Sequence, residues 1–209
     1  MATYKVRQRE HEDLVDDLLA ARGIDAAQKD IFLNPDFVRD SQDPFLLPDM
    51  EVAVARILSA LKNGERVCVW SDYDCDGIPG GVMLVEFLRA AGLTTSHYRP
   101  HRHKEGYGLN TEGIEELAGQ GVKLIITIDL GTTEHEAIAF AKTKGVDVVV
   151  TDHHLVSAGD VLPPALAVIN PKRPDSRYPF ADLCGAGVAW KLVQAMLLKN
   201  RPDNFPLWQ

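Results

Sequence analysis

Val67-Cys68-Val69-Trp70-Ser71-Asp72-Tyr73-Asp74-Cys75-Asp76-Gly77 is the stretch whose reading decides the fold. Its short apolar run reads as a buried strand, and three aspartates crowd like charges at the strand's end. A divalent cation is the usual remedy for such crowding. Two later runs end the same way: Leu124-Ile125-Ile126-Thr127-Ile128 enters Asp129, and Val148-Val149-Val150-Thr151 enters Asp152-His153-His154. If these strands are parallel neighbours, all of these side chains meet in one crevice outside the carboxyl ends of the sheet. The expectation is a metal site, with room for two ions.

Outward from this stretch, strands and helices alternate. Apolar strands are expected near 67–70, 96–99, 124–128, 146–151 and 166–169, with helices over 79–91, 111–118, 133–144 and 187–198. Thr133-Glu134-His135-Glu136 has the form of a capping box, and Pro79 suits a first helical turn. Near-continuous apolar strands separated by helices predict an α/β fold: a parallel sheet with helices on both faces. Upstream, residues 9–22 and 50–62 read as helices flanking an irregular stretch marked by Asn34-Pro35, Asp43-Pro44 and Leu47-Pro48. The expected division is a mainly helical N-terminal extension over 1–63 and an α/β catalytic domain over 64–209.

Composition narrows the class. With 209 residues, 45% apolar and 25% charged, the chain reads as one large soluble domain with an extension. It has no apolar run near the roughly 20 residues of a membrane span and no signal-peptide core, so a cytoplasmic location away from membranes is expected. Three widely spaced cysteines argue against a disulfide framework. A net charge of −8 tells against a nucleic-acid coat protein but not against a nucleic-acid enzyme. The dense basic stretch Tyr98-Arg99-Pro100-His101-Arg102-His103-Lys104 reads as a local anion site or a solvated loop. Arg102 is the expected phosphate contact there, because a guanidinium pairs bidentately with phosphate. Gly106-Tyr107-Gly108 reads as backbone that can approach a ligand or as a plain turn, with Tyr107 an aromatic available for stacking; Gly187 in Gly185-Ala186-Gly187 reads as a helix-start amide for an anion or as tight helix packing.

A calcium-binding helix-loop-helix also begins Asp-x-Asp-x-Asp-Gly, but here Met83 stands where a bidentate Glu is needed and a strand leads in. Asp129 alone would be an ordinary strand-end aspartate. Asp152-His153-His154 carries more: one imidazole can bind metal, the other can face substrate, and the aspartate can orient a ring. Carboxylates plus an imidazole suit Mn²⁺, then Mg²⁺. Two such ions predict metal-assisted hydrolysis of a phosphoester or phosphoanhydride.

These residues, in this order, resemble the DHH phosphoesterase superfamily, and within it the RecJ-like single-strand exonuclease branch. The resemblance also takes in Pro100–Leu109, Asn170-Pro171, Gly185-Ala186-Gly187-Val188-Ala189-Trp190-Lys191 and, upstream, Phe32-Leu33-Asn34-Pro35. It implies that Asp74, Asp76, Asp129 and His153 are metal ligands, with Asp76 and Asp129 serving the second or shared ion. Asp72 falls in or just behind that shell, and His154 on the scissile phosphate. Ser71 and Cys75 depart from the branch's pattern without removing a ligand. The family carries a further metal-binding aspartate after the Lys191 helix and then a second domain, so the resemblance reads this chain as an N-terminal catalytic lobe. The implied activity is Mn²⁺- or Mg²⁺-dependent hydrolysis of single-stranded DNA, 5′→3′, in DNA repair and recombination. Two alternatives stay open: the same chemistry on short oligonucleotides, cyclic dinucleotides or pyrophosphate, and a binding or scaffold relative that has lost catalysis.

Overall fold

The computed structural model describes residues 6–156, 159 and 161–200. They fall into two compact units, one ending at Gln42 and one beginning at Asp43. In the first lie three short helices: α1 (Leu14–Ala20), α2 (Lys29–Leu33) and α3 (Phe37–Asp40). The helix expected over 9–22 starts late because Asp13 caps it, accepting the Asp16 N–H at 3.0 Å.

The second unit opens with a 3₁₀ turn (Pro44–Leu46) and α4 (Met50–Asn63). It continues through β1 (Arg66–Ser71), α5 (Gly77–Ala90), β2 (Thr94–Tyr98), α6 (Thr111–Gly119), β3 (Val122–Ile128), α7 (His135–Thr143), β4 (Asp147–Thr151), β5 (Ala167–Ile169) and α8 (Gly185–Lys199). The five strands form one sheet in the order β2-β1-β3-β4-β5, and every pairing is parallel. The apolar runs are continuous because both faces are covered. Val67, Val69, Leu124, Ile126 and Ile128 pack against α4, α5 and α8, while Cys68, Trp70, Ile125, Val148 and Val150 pack against α6 and α7. Alternate residues of one strand thus serve opposite layers. No described helix is long and apolar enough to cross a membrane.

The sheet order also locates the crevice. From β1 the chain crosses to β2 on one side and then to β3 on the other. Neighbouring strands whose connections leave in opposite directions open a cleft at their carboxyl ends, which is where α/β sheets bind ligands. Ser71 and Ile128 are register partners at that edge, so Asp72 and Asp129, one residue further on, face each other across the cleft.

Two expectations shift. The helix expected with the extension, α4, lies in the second unit, with Met50, Ala53, Val54, Ile57 and Ala60 buried in the sheet's core. Its apolar face needs the sheet for cover, and Arg56 ties it there through Asp147 and Glu65, each at 2.7 Å. The capping box does not form: α7 begins at His135 with Glu134 at the cap and no side-chain cap bond. A tight turn shifts the helix start instead, with Glu134 N donating to Gly131 O at 3.1 Å and His135 N to Thr133 O at 3.0 Å, so Thr133 is not the cap.

Trp70 is fully buried, stacks on Tyr98 with centroids 4.0 Å apart, and donates its indole N–H to Gly108 O at 3.2 Å. Gly113 of α6 sits against this pair; a methyl there would lie 2.6 Å from Trp70 Cη2 and 2.8 Å from Tyr98 Oη. The roughly 1 kcal/mol that alanine adds to a helix is outweighed by overpacking of about 1–3 kcal/mol. Gly113→Ala is therefore expected to lower stability in urea unfolding, against the direction of helix propensity.

Candidate metal centre

The segment after β1 is shaped by its own carboxylates. Asp72 N continues the ladder to Ile128 O at 3.2 Å, and Asp72 Oδ1 accepts the Tyr73 N–H at 2.6 Å. Asp74 Oδ1 then accepts the N–H groups of Asp76 and Gly77, both at 2.8 Å, turning the chain into α5. Gly77 is needed at this turn, since a Cβ there would lie 2.7 Å from Asp72 O. The Asp76 carboxylate reaches across to α8, accepting Gly185 N at 2.6 Å and Ala186 N at 2.7 Å.

Asp129 follows β3 in the left-handed region, φ 65°, and is 2% exposed. Its N–H donates to Thr151 O at 3.0 Å, and its carbonyl accepts the Tyr107 hydroxyl at 3.1 Å. Asp129 Oδ1 is buried and receives no hydrogen bond from the described residues. His153 Nε2 stands 3.0 Å from it, off the line a hydrogen bond requires, and 3.7 Å from Asp76 Oδ2. Burial first, then the nearby Asp76 and Asp74 charges, push the Asp129 carboxyl up to about 7. Burial likewise raises Asp72. Asp74 is lowered: burial opposes the charge, but the N–H bonds from Gly77 and Asp76 outweigh it.

The third segment has a different logic. Asp152 is 1% exposed, and its oxygens accept Thr132 N at 2.9 Å, His153 N at 2.7 Å and His154 Nδ1 at 2.7 Å. Burial opposes its charge, yet the bonds from His154 and Thr132 hold it at about 2. That bond to Asp152 raises His154 above the ordinary imidazole range. Asn170 supports the same turn, donating to His154 O at 2.9 Å and Thr132 Oγ1 at 3.1 Å.

The residues singled out in the sequence therefore converge in large part. Ligand atoms of Asp72, Asp74 and Asp129 lie within 4.8 Å of one another, as do those of Asp129, His153 and His154. Asp129 belongs to both groups. Asp76 joins through His153. The substrate candidates fare differently. Arg102 lies over the Tyr73 ring, 5.0 Å from its centroid, rather than among the carboxylates. Tyr107 both holds the Asp129 carbonyl and meets the His154 ring edge-on at 6.5 Å. Gly187 is not free for an external anion in this arrangement, because its N–H donates to Cys184 Sγ at 3.4 Å. The sequence carried no signal for Thr132. Glu105, which fell within the Pro100–Leu109 resemblance without a role assigned to it, anchors the basic loop by accepting from Tyr98 Oη at 2.6 Å and His101 N at 3.0 Å.

A family model described as the DHH family, N-terminal domain, matches residues 66–207. The chain belongs to the DHH family. It is 38% identical to the single-stranded-DNA-specific exonuclease RecJ of Bacillus subtilis (strain 168) over 192 residues, 91% of this chain and 24% of that protein. With the same-named protein of Salmonella typhimurium it shares 40% identity over 151 residues, 72% of this chain and 26% of that one. A crystal structure of exonuclease RecJ bound to manganese superposes with TM-score 0.63 at 36% identity, covering 73% of this chain and 38% of that one. The crystal structure of RecJ from Thermus thermophilus in complex with Mn²⁺ gives 0.67 at 30%, covering 90% and 26%. This DHH chain thus spans about a quarter of the length of the curated relatives it matches.

The raised Asp129 has a consequence for pH. Its folded carboxyl holds a proton more tightly than the ordinary 3.8, so its stabilising contribution is full below about pH 4 and is lost as pH rises through about 7. The raised His154 acts in the same sense, with its contribution full below 6.5. Asp152, held low, acts in the opposite sense, but only as pH falls from 3.8 towards about 2. Without metal, the chain is expected to melt at a higher temperature at about pH 5 than at about pH 8. Asp129→Asn should flatten much of that slope in paired melting curves.

Proposed function

We propose that this DHH chain is the catalytic lobe of a metal-dependent phosphodiesterase that hydrolyses single-stranded DNA from the 5′ end, in DNA repair and recombination. The observation that carries the reading is the orphaned Asp129 Oδ1, buried at the centre of carboxylate and imidazole groups with no hydrogen-bond donor among the described residues to satisfy it. A buried carboxylate oxygen of this kind calls for a cation. Asp72, Asp74, Asp76, Asp129 and His153 would hold Mn²⁺ or Mg²⁺, two ions, with Asp129 shared between the two groups. Bound there, the metal supplies an activated water and offsets charge developing on the phosphoryl group. The substrate class is supported by the relatives, named as single-stranded-DNA-specific exonucleases. The 5′→3′ direction and the repair role rest on the family resemblance alone.

The chain's own groups would do the rest. Asp152 fixes His154 with Nδ1 bonded and strengthens the ring's hold on a proton, so that the protonated ring can donate from its other nitrogen to a phosphate oxygen. Arg102, laid over Tyr73, can pair with a neighbouring phosphate while Tyr73 and Tyr107 offer faces to bases. His153→Ala is expected to cut Mn²⁺-dependent nucleotide release from labelled single strands by at least about 10²-fold, and Asp76→Ala likewise. Activity that survives both changes would overturn the assignment.

One observation favours a second reading, with short oligonucleotides or a cyclic dinucleotide as substrate. The tyrosines with ring contacts to the site's cationic side chains are Tyr73, under Arg102, and Tyr107, edge-on to His154, a smaller aromatic set than a long single strand calls for. Comparing kcat/KM for a long single strand with that for a dinucleotide decides between them. A higher value for the dinucleotide would replace the first substrate.

A further inference from the structure

Asp76 and Asp129 belong to different strand ends, yet one residue of a third element touches both. The Gly185 N–H donates to Asp76 Oδ2 at 2.6 Å, with Ala186 N on the other oxygen at 2.7 Å. On its other side, Gly185 lies so close to Asp129 that a Cβ there would sit 2.5 Å from Oδ1 and 2.7 Å from Asp129 Cβ and Cγ. We propose that Gly185 is a positioning residue for the metal centre: its N–H and its bare α-carbon together set the gap between the Asp76 and Asp129 carboxylates. The inference rests on the metal-dependent reading above and adds a residue on α8 to it.

Three features make this a gauge rather than a loose contact. The first amides of a helix have no intrahelical acceptor, and charge-assisted bonds to both oxygens of one carboxylate fix its plane as well as its position. Asp129 cannot step back, because Thr151 O and the Tyr107 hydroxyl hold its backbone on both sides. Nor can α8, since Val188, Ala189 and Leu192 are fully buried in the core and Ala186 lies against Gly80, where a Cβ would come 3.0 Å from Ala186 Cα. With both backbones held, a side chain at 185, which would lie 2.7 Å from Asp129 Cβ as well as against its carboxylate, can be accommodated only by displacing the whole Asp129 side chain. That displacement carries Oδ1 away from its place 3.0 Å from His153 Nε2. The site would then lose its shared donor while the fold remained.

Mn²⁺ titration by calorimetry of the wild-type chain and of Gly185→Ala is the test. The folded variant is expected to bind Mn²⁺ at least about tenfold more weakly, as outer-shell changes at metal sites do, alongside a metal-free melting midpoint lowered by overpacking. A glycine needed only for packing would lower the midpoint and leave the affinity of folded protein unchanged; that result overturns the proposal. Amide exchange gives a reading that does not depend on Gly185→Ala folding. Gly185 and Ala186 N–H should exchange slowly in the metal-free wild type and at least about tenfold faster in Asp76→Ala. Equal rates in the two proteins would remove the clamp. A wild-type chain that takes up no Mn²⁺ overturns the metal-dependent reading and this one with it. Wild-type binding matched by Gly185→Ala overturns this one alone.

Discussion

The parallel pairing of β1 with β3 is the constraint on which the rest of this molecule depends. Register partners Ser71 and Ile128 end the two strands level, and the next residue on each is an aspartate. Connections from these strands leave in opposite directions, so a cleft opens between their ends, bordered by the start of α8 at Gly185. The fold therefore delivers two carboxylates to a cleft where water is limited. The cost appears in Asp129, pushed up to about 7 mainly by burial and then by its acidic neighbours. Two like charges at such spacing repel by several kcal/mol at an intermediate dielectric, more than a single hydrogen bond of about 1 kcal/mol offsets.

Around that pair the chain distributes its hydrogen bonds selectively. Asp74 is satisfied by its own turn, Asp76 by the start of α8, and Asp152 by Thr132 and the two histidines. Asp129 alone among these carboxylates keeps a buried oxygen unsatisfied. The same bonds that orient the surrounding groups thus leave one acceptor open at the centre, which is the disposition a cation site needs. Tyr107 joins this frame from the basic loop, so the loop's position and the backbone of Asp129 are linked by one hydroxyl.

Much of the fold was legible because the strands are buried on both faces and so are written as uninterrupted apolar runs. What could not be read was the pairing of elements. Residues 50–63 have the pattern of any amphipathic helix, and nothing in that pattern says that α4 belongs to the sheet's core rather than to the upstream helices. The capping box at Thr133 failed because a local turn moved the helix's cap one residue on, to Glu134. Gly185-Ala186-Gly187 was read as amides for an anion, and the structure supplies the anion from 109 residues upstream, in Asp76. Gly187, by contrast, donates its N–H to Cys184.

The candidate ligands were singled out by sequence alone, since aspartates and paired histidines placed directly after buried apolar runs crowd charge for which a cation is the usual remedy. Their roles were decided by tertiary structure. Asp152 and Asp129 occupy equivalent strand ends and are equally buried, yet one is held at about 2 and the other raised to about 7. The difference lies in what surrounds them. Asp152 meets Thr132 N–H and His154, while Asp129 meets Asp74, Asp76 and the bare face of Gly185. A carboxylate's charge state depends on the donors and charges within a few ångströms, and in this chain those come from residues that only the packing of β1, β3, β4 and α8 brings together.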